Sequence, residues 1–347
     1  MSPYSSVSRA PVVAIVGATG AVGQELLHCL ERRRFPLADL RVFASARSAG
    51  KRLAFRGGEL EVAELTERSF DGVDIALFSA GSATSQRFAP LAVRAGTVVI
   101  DNSSAFRMQS DVPLVVPEIN ADEIATHRGI IANPNCVAIV AGVPLWPIHR
   151  RNRILRLILA SYQAASGAGA AAMDELVQST RAYLEDRPYE NRVLRHPYAF
   201  NLFSHDTAVD PRTGYNGEET KVMAELRKIF AEPALRVSAT CVRVPVLRAH
   251  SLALTVECAR PIALDEVRAA LAEAPGLRIV DDVAHNTFPM PRDASGQDDV
   301  LVGRIRHDAS DPSGCSVALF VSGDQLLKGA ALNAVQIAER LPALVRG

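Results

Sequence analysis

The 347-residue chain is poor in aromatic residues, 5% in all with a single Trp, and has only 5 cysteines. So few cysteines, without an even framework, exclude a disulfide-stapled secreted domain and suit a reducing compartment, the cytoplasm. Net charge is also missing, because 38 Lys and Arg balance 38 Asp and Glu. A nucleic-acid binder would show a basic excess or stripe, and this chain has neither. No apolar run approaches the ~20 residues that cross a bilayer. Residues 1–10 (MSPYSSVSRA) lack the apolar core of a secretory signal. No Cys/His pair has zinc-ligand spacing, so no metal is expected. What is present is an ordinary globular composition, 48% hydrophobic and 22% charged, which excludes disorder as the main state. The length suggests about two domains.

Short apolar runs and helical spacings alternate in the first part of the chain. Residues 11–16 (PVVAIV) run into a glycine-rich turn, as a buried parallel strand does. Residues 22–34 follow with Val22, Leu26, Leu27 and Leu30 at helical spacing. Further runs lie at 40–44, 74–78 and 97–100, with Phe88, Leu91 and Ala92 marking a helix between the last two. This order predicts a doubly wound parallel α/β sheet with helices on both faces, over residues 1–135. The texture then changes. A helix is expected at 136–150, a strand at 153–164, a glycine–alanine turn at 166–172 and a helix at 173–185. A loop rich in Pro, Asn, Tyr, His and Gly is expected at 186–218. Strands at 236–246, 251–259, 300–306 and 315–321 and a helix at 264–273 complete an α+β domain, 136–325, on a mixed or antiparallel sheet. A last helix, 326–340, opens a segment to residue 347 that is expected to return to the first domain.

Gly17-Ala-Thr-Gly20-Ala-Val-Gly23 follows a strand and opens a helix. Small residues there let the backbone approach a pyrophosphate, whose charge rests on free N–H groups at the helix N-terminus. Gly17, Thr19, Gly20, Ala21 and Val22 are the candidate contacts. GxxGxxG is not the commoner GxGxxG, and a tight packing turn is the alternative, but the strand–turn–helix context favours a dinucleotide. An NAD enzyme places Asp or Glu about 20 residues on, for the ribose 2′-hydroxyl. Residues 45–52 instead read Ser-Ala-Arg-Ser-Ala-Gly-Lys-Arg. Ser45, Arg47 and Ser48 suit a 2′-phosphate, so NADP(H) is expected over a merely solvated basic loop.

Asn133-Pro134-Asn135-Cys136 precedes an apolar helix. A cysteine at a helix N-terminus has its thiolate favoured by the dipole. Pro134 keeps the residue before it extended, and Asn135 is a candidate donor to a developing oxyanion. Cys29, Cys241, Cys258 and Cys315 fall inside expected helices or strands and read as structural. A nucleotide fold plus an activated cysteine suggests hydride removal from a thiohemiacetal. Groups to serve that chemistry cluster at Ser161–Gly169, Glu218–Lys221 and Arg243–Ser251.

At this point the chain resembles the aspartate-β-semialdehyde dehydrogenases along essentially its whole length. GATGAVGQEL (17–26), DNSSAFR (101–107), NPNC (133–136), SYQAASGAG (161–169), EETK (218–221), ATCVRVPVLRAHS (239–251) and KGAALNAVQIAE (328–339) fall in family order. The resemblance implies a Rossmann-type domain followed by a catalytic and dimerisation domain. It implies reversible conversion of L-aspartate β-semialdehyde, phosphate and NADP⁺ into L-β-aspartyl phosphate and NADPH, on the route to lysine, threonine and methionine. By that resemblance Cys136 attacks the carbonyl and Gln163 holds the substrate beside it. His250 acts as general acid/base, where an ordinary pKa near ~6.5 suits proton exchange. Arg243 takes the substrate carboxylate, Glu218 its ammonium, and Arg107 and Lys221 the phosphate. Ser166 and Asn135 join the substrate contacts, and Gly167 and Gln325 the cofactor contacts. Partners are the small substrate and inorganic phosphate, with no nucleic acid and no membrane. The chain is expected to be a homodimer or a pair of dimers.

Each assignment has a plainer alternative. Glu218 and Lys221 fit a surface helix pair worth ~0.2–0.5 kcal/mol. Arg243 and Arg107 fit solvated arginines, Gln163 a turn cap and His250 an ordinary strand histidine. His196 and His205 lie in the polar loop with no evident task. Residues 186–217 resemble the family less than their flanks do. Rival functions are an N-acetyl-γ-glutamyl-phosphate reductase and an inactive paralogue with a binding role. The pattern around Cys136 and the EETK cluster disfavour the first, and the presence of Cys136, Gln163, Arg243 and His250 disfavours the second.

Overall fold

The computed structural model describes residues 10–341; the readings made on residues 1–9 and 342–347 lie outside them. The chain divides into two compact units, Met1–Asn133 with Ala331–Gly347, and Pro134–Ala330. In the first unit the elements are β1 (Val12–Val16), α1 (Ala21–Arg32), β2 (Asp39–Ala44), a hairpin of β3 (Arg52–Phe55) and β4 (Gly58–Glu61), and β5 (Ala63–Glu64). They continue as β6 (Ile75–Phe78), α2 (Ser82–Arg94), β7 (Val98–Asp101), α3 (Pro117–Asn120) and β8 (Ile130–Ala132). Six strands form one parallel sheet in the order β5-β2-β1-β6-β7-β8. Its central strands are apolar but for Asp101 at the end of β7, because helices cover both faces; Ile15, Leu77 and Ile100 are fully buried. The order reverses between β1 and β6, and ligands of such sheets bind at the carboxyl ends of the strands there. The hairpin, β5 and β8 are absent from the sequence reading, being short and, in the hairpin, largely exposed and charged.

The second unit runs α4 (Cys136–Arg151), β9 (Ile154–Gln163), α5 (Ala170–Leu184), β10 (Phe203–Ser204), α6 (Gly217–Ile229), β11 (Arg236–Arg243) and β12 (His250–Cys258). It goes on through α7 (Leu264–Glu273), β13 (Leu277–Ile279), α8 (Pro291–Ala294), β14 (Val300–His307) and β15 (Ser316–Gly323). Its seven-stranded mixed sheet has the order β10-β11-β9-β12-β15-β14-β13. Strand β9 alternates: Leu157, Leu159, Ser161 and Gln163 are buried, while Ile158 and Tyr162 are 43% and 37% exposed. Helices therefore cover one face and leave the other open. On the covered face α4 comes so close that a Cβ on Gly323 would stand 3.0 Å from the Val140 methyls.

Register places the site. Arg243 of β11 pairs with Gln163 of the parallel β9, and Phe203 of β10 pairs with Arg243 from the other side. Ser251 of β12 pairs with Tyr162, so His250 falls level with Gln163. Side chains in one row share a face, so Arg243, Gln163 and His250 all point toward the face that carries α4.

Two features depart from the sequence reading. Helix α6 begins at Gly217, inside the expected loop, because Asn216 and Glu219 form a reciprocal capping box. The rest of that loop is irregular but anchored: the buried Glu175 carboxylate of α5 accepts the backbone N–H groups of Arg192, Val193 and Leu194 at 2.5–2.8 Å. After β15 a single π-helical turn, Leu327–Ala331, leads into α9 (Leu332–Glu339). Helix α9 belongs to the first unit, where it packs on α1 and β7 and Glu339 pairs with Arg33 at 2.7 Å. No helix among the described residues is long and apolar enough to cross a membrane.

Glu175→Ala strands three N–H donors, each costing ~1–3 kcal/mol where buried. A denaturant melt should show a loss of at least ~2 kcal/mol, with amide exchange accelerated at residues 192–194 before the rest of the unit; an unchanged melt would refute the anchoring role.

Candidate active site

The glycine turn has the shape a dinucleotide needs. Gly17 sits at φ +89°, and a Cβ there would lie 2.5 Å from the Ser79 carbonyl oxygen. A Cβ on Gly23 would lie 2.3 Å from the Gly17 carbonyl oxygen. Only glycine fits either point. Gly20 caps α1 in extended conformation and is exposed, with no acidic residue in the first helical turn. Thr19, Ala21 and Val22 lie half-buried around it. An uncluttered helix N-terminus free of negative charge beside the switch point fits a pyrophosphate. After β2, Ser45 and Arg47 are exposed, while Ser48 is buried in the short turn Ala46–Ser48. Arg107 is buried in the same unit, its Nε donating to the Asn133 carbonyl at 2.9 Å and Nη2 to that of Asn102 at 2.7 Å.

In the second unit Cys136 is the first residue of α4, half-buried. A Cβ on Gly329 would come within 3.0 Å of the Cys136 Cβ, so a glycine keeps space beside the thiol. Asn135 is the helix cap. Its Oδ1 accepts from the N–H groups of Val137 (2.8 Å) and Ala138 (3.3 Å), its Nδ2 donates to Glu218 Oε1 at 2.8 Å, and its own N–H donates to the buried Glu225 at 2.5 Å. Its side chain therefore builds the helix end, with one Nδ2–H committed to Glu218. Cys241 and Cys258 are buried, and burial pushes their thiols up to about 12 and about 11, which makes them inert. Cys315 lies just before β15, half-exposed, rather than within the strand.

Glu218 joins three elements. Its Oε1 accepts from Asn135 and, at 3.3 Å, from Gln163 Nε2; its Oε2 lies 3.6 Å from the half-exposed Lys221 ammonium. Burial alone would raise the Glu218 pKa, but in the acid range where it would titrate a protonated His205, the Asn135 amide, Lys221 and the Gln163 amide outweigh it and hold the group below the ordinary range, as a carboxylate. A surface helix pair does not describe a glutamate this buried. Gln163, itself buried, also accepts from the Ser161 hydroxyl at 3.4 Å.

Arg243 is buried, not solvated. Its Nη2 donates to His205 Nε2 at 2.9 Å and lies 3.8 Å from Asp206, its Nη1 approaches the Ala164 carbonyl at 3.5 Å, and its Nε has no partner among the described residues. His205 thus has a neighbour that nothing in its local sequence signals. His250 is fully buried; its Nδ1 accepts the Ala164 N–H at 3.0 Å, and its Nε2 has no partner among the described residues. A Cβ on Gly167 would lie 3.0 Å from that Nε2 and 3.1 Å from Arg243 Nη1, so glycine preserves a gap in front of both. Burial, then the Arg243 charge, push the His250 pKa down to about 3. The expectation of an ordinary value near ~6.5 is overturned: the ring is neutral, and with Nδ1 accepting, its proton is on Nε2. Gln325 is buried in this unit, its Oε1 accepting the Ala249 N–H at 3.0 Å and its Nε2 donating to the Ser166 hydroxyl. Ala249 itself adopts φ +71°, a left-handed conformation costly for alanine. Gln325 and Ser166 thereby brace the residue before His250. Among the described residues no three His, Cys, Asp or Glu side chains gather as a metal site requires.

Nitrogen NMR of histidine-labelled free protein should show His250 as the neutral Nε2–H tautomer from pH 8 to pH 5; an Nδ1–H ring, or protonation near the ordinary value, would contradict the assignment. The unfolded ring takes up its proton near ~6.5 and the folded one only near 3, so the unfolded state gains protons as pH falls between these values. Acid therefore destabilises the fold, by up to ~1.4 kcal/mol per pH unit for this ring.

Comparison with known proteins shows the family. Residues 12–127 match the family model of the semialdehyde dehydrogenase NAD binding domain, and residues 145–328 that of the semialdehyde dehydrogenase dimerisation domain. The aspartate-semialdehyde dehydrogenase of Synechocystis sp. is 53% identical over 95% of this chain and 96% of that protein. That of Bacillus subtilis is 46% identical over 96% of this chain and 97% of its own length. The crystal structure of aspartate semialdehyde dehydrogenase II of Vibrio cholerae complexed with ASA superposes with a TM-score of 0.93 at 44% identity, covering 96% of this chain and 98% of that one. The glycine turn, the capped cysteine and the buried Gln163–Arg243–His250 row therefore sit in a member of the aspartate-semialdehyde dehydrogenase family.

Proposed function

We propose that this chain catalyses the reversible, NADP-dependent conversion of L-aspartate β-semialdehyde and phosphate into L-β-aspartyl phosphate, through a thioester on Cys136. The observation that carries the reading is Cys136 at the capped N-terminus of α4, in one unit with buried donors on Arg243 and His250 that have no partner among the described residues. The helix terminus favours the thiolate, which adds to the aldehyde carbon to give a thiohemiacetal oxyanion. His250 meets that oxygen with its Nε2–H, as a neutral donor. A neutral imidazole suits this task because giving up the proton outright would leave an imidazolate. The sequence reading of His250 as a proton shuttle becomes one of hydrogen-bond stabilisation. Gly17, Thr19, Gly20, Ala21 and Val22 would hold NADP⁺, with Ser45 and Arg47 on its 2′-phosphate, and the cofactor so bound would supply the two-electron oxidation.

Arg243 offers its open Nε edge to the substrate carboxylate. Glu218 has remaining lone pairs for the ammonium, and Gln163 lies against it. Hydrogen phosphate then attacks the thioester carbonyl, releasing the Cys136 thiolate and one proton; Arg107 and Lys221 are the cations we assign to it. No step requires a buried group to ionise. The open sheet face around Ile158 and Tyr162 is assigned to a second copy of the chain, giving a homodimer, and the cytoplasm is its expected compartment.

Mixed with L-aspartate β-semialdehyde and NADP⁺, the protein should form NADPH continuously only when phosphate is present. Cys136→Ala should lower turnover at least ~10⁴-fold with NADP affinity unchanged; retained turnover would remove the nucleophile assignment. Arg47→Ala should weaken NADP⁺ at least ~10-fold and leave NAD⁺ within ~2-fold, as expected from losing a charged hydrogen bond to one cofactor only. Equal losses for both cofactors would place the 2′-phosphate elsewhere.

A further inference from the structure

His205 has no part in the chemistry above, yet it is buried and fixed. Its backbone N–H donates to the Cys241 carbonyl at 2.8 Å, extending the pairing of β10 with β11 by one residue. Its Nδ1 lies 3.3 Å from Thr207 Oγ1 and 3.5 Å from Asp206 Oδ1. Thr207 Oγ1 in turn accepts the backbone N–H of Glu218 at 3.0 Å. On the other side, Nε2 meets Arg243 Nη2 at 2.9 Å.

We propose that His205 is a positioning residue for substrate recognition: as a neutral acceptor it orients the Arg243 guanidinium so that Nε stays open to the substrate carboxylate. The inference rests on the reading of Arg243 as the carboxylate anchor. A guanidinium only donates, so at 2.9 Å the ring nitrogen facing it carries the lone pair, and the ring proton is on Nδ1, directed to Thr207 Oγ1 in preference to the long 3.4 Å approach of the Thr207 N–H. Burial and the Arg243 charge lower the His205 pKa, in keeping with a neutral ring. The choice of an imidazole has a physical reason. A carboxylate in its place would hold the arginine equally well but would neutralise it, leaving less charge for the substrate. Asp206, 3.8 Å from Nη2, is such a competitor, and an arginine released from His205 can close on it. Because Thr207 links the same histidine to the backbone of Glu218, the carboxylate anchor and the carboxylate assigned to the ammonium share one support.

The test compares wild type, His205→Ala and His205→Gln on L-aspartate β-semialdehyde and on 3-aminopropanal, which lacks the α-carboxylate. His205→Ala should raise the KM for the full substrate ~10-fold with kcat lowered less than ~3-fold, and change kcat/KM for 3-aminopropanal less than ~2-fold. His205→Gln, whose amide oxygen can reach the position of Nε2, should recover the full-substrate KM to within ~3-fold of wild type. Equal losses on both aldehydes, a Gln variant no better than Ala, or a fall in kcat at unchanged KM would overturn the proposal. Wild type inactive on both aldehydes would instead sink the function and the proposal together. If Arg243→Ala leaves the preference for the full substrate intact, the anchor is wrong and the inference falls with it.

Discussion

One buried carboxylate holds the catalytic unit in order. Glu218 receives the Asn135 amide from the start of α4, the Gln163 amide from the end of β9 and the Lys221 ammonium from its own helix. A buried carboxylate is costly unless its lone pairs are met, and here groups from three elements meet most of them. Removing Glu218 would free the cap side chain that fixes the first turn of α4, where Cys136 stands. The same carboxylate places negative charge beside the position we assign to the substrate ammonium. Stability and recognition thus draw on a single group, with Glu225 holding the Asn135 backbone from two turns further along α6.

The sheet register supplies the second constraint. Three strand ends bring Arg243, Gln163 and His250 into one row, and the row is buried under α4. Burial is what makes the site work as described: it shields His250 and Arg243, leaves one donor on each without a partner among the described residues, and keeps the histidine neutral. Close packing in turn requires glycine at 167, 323 and 329, where added Cβ atoms would meet His250, Val140 and Cys136.

The glycine turn and the capped cysteine were legible because they are local: a strand, a turn and a helix start each leave their residues close together in sequence. What the sequence did not disclose was distant. Asn135 reads as a wholly free donor until Glu218, 83 residues away, takes one amide N–H and Glu225, 90 residues away, takes its backbone N–H. His250 reads as an ordinary histidine until packing buries it. His205 reads as a loop residue because only the two-residue strand β10 sets it against Arg243. Gln325 reads as a cofactor contact, whereas its amide bridges Ser166 and Ala249. Helix α6 did leave a signal, Asn216 followed three residues later by Glu219, but that capping pattern sits among turn-forming residues that mask it.

The most direct measurement is intact-mass and peptide-mapping analysis of the protein mixed with L-aspartate β-semialdehyde and NADP⁺ without phosphate. The expected result is one NADPH formed per chain, accompanied by one aspartyl acyl group on the peptide containing Cys136, both lost on adding phosphate. Formation of NADPH with no acyl adduct, or an adduct on any other residue, would contradict the thioester on Cys136.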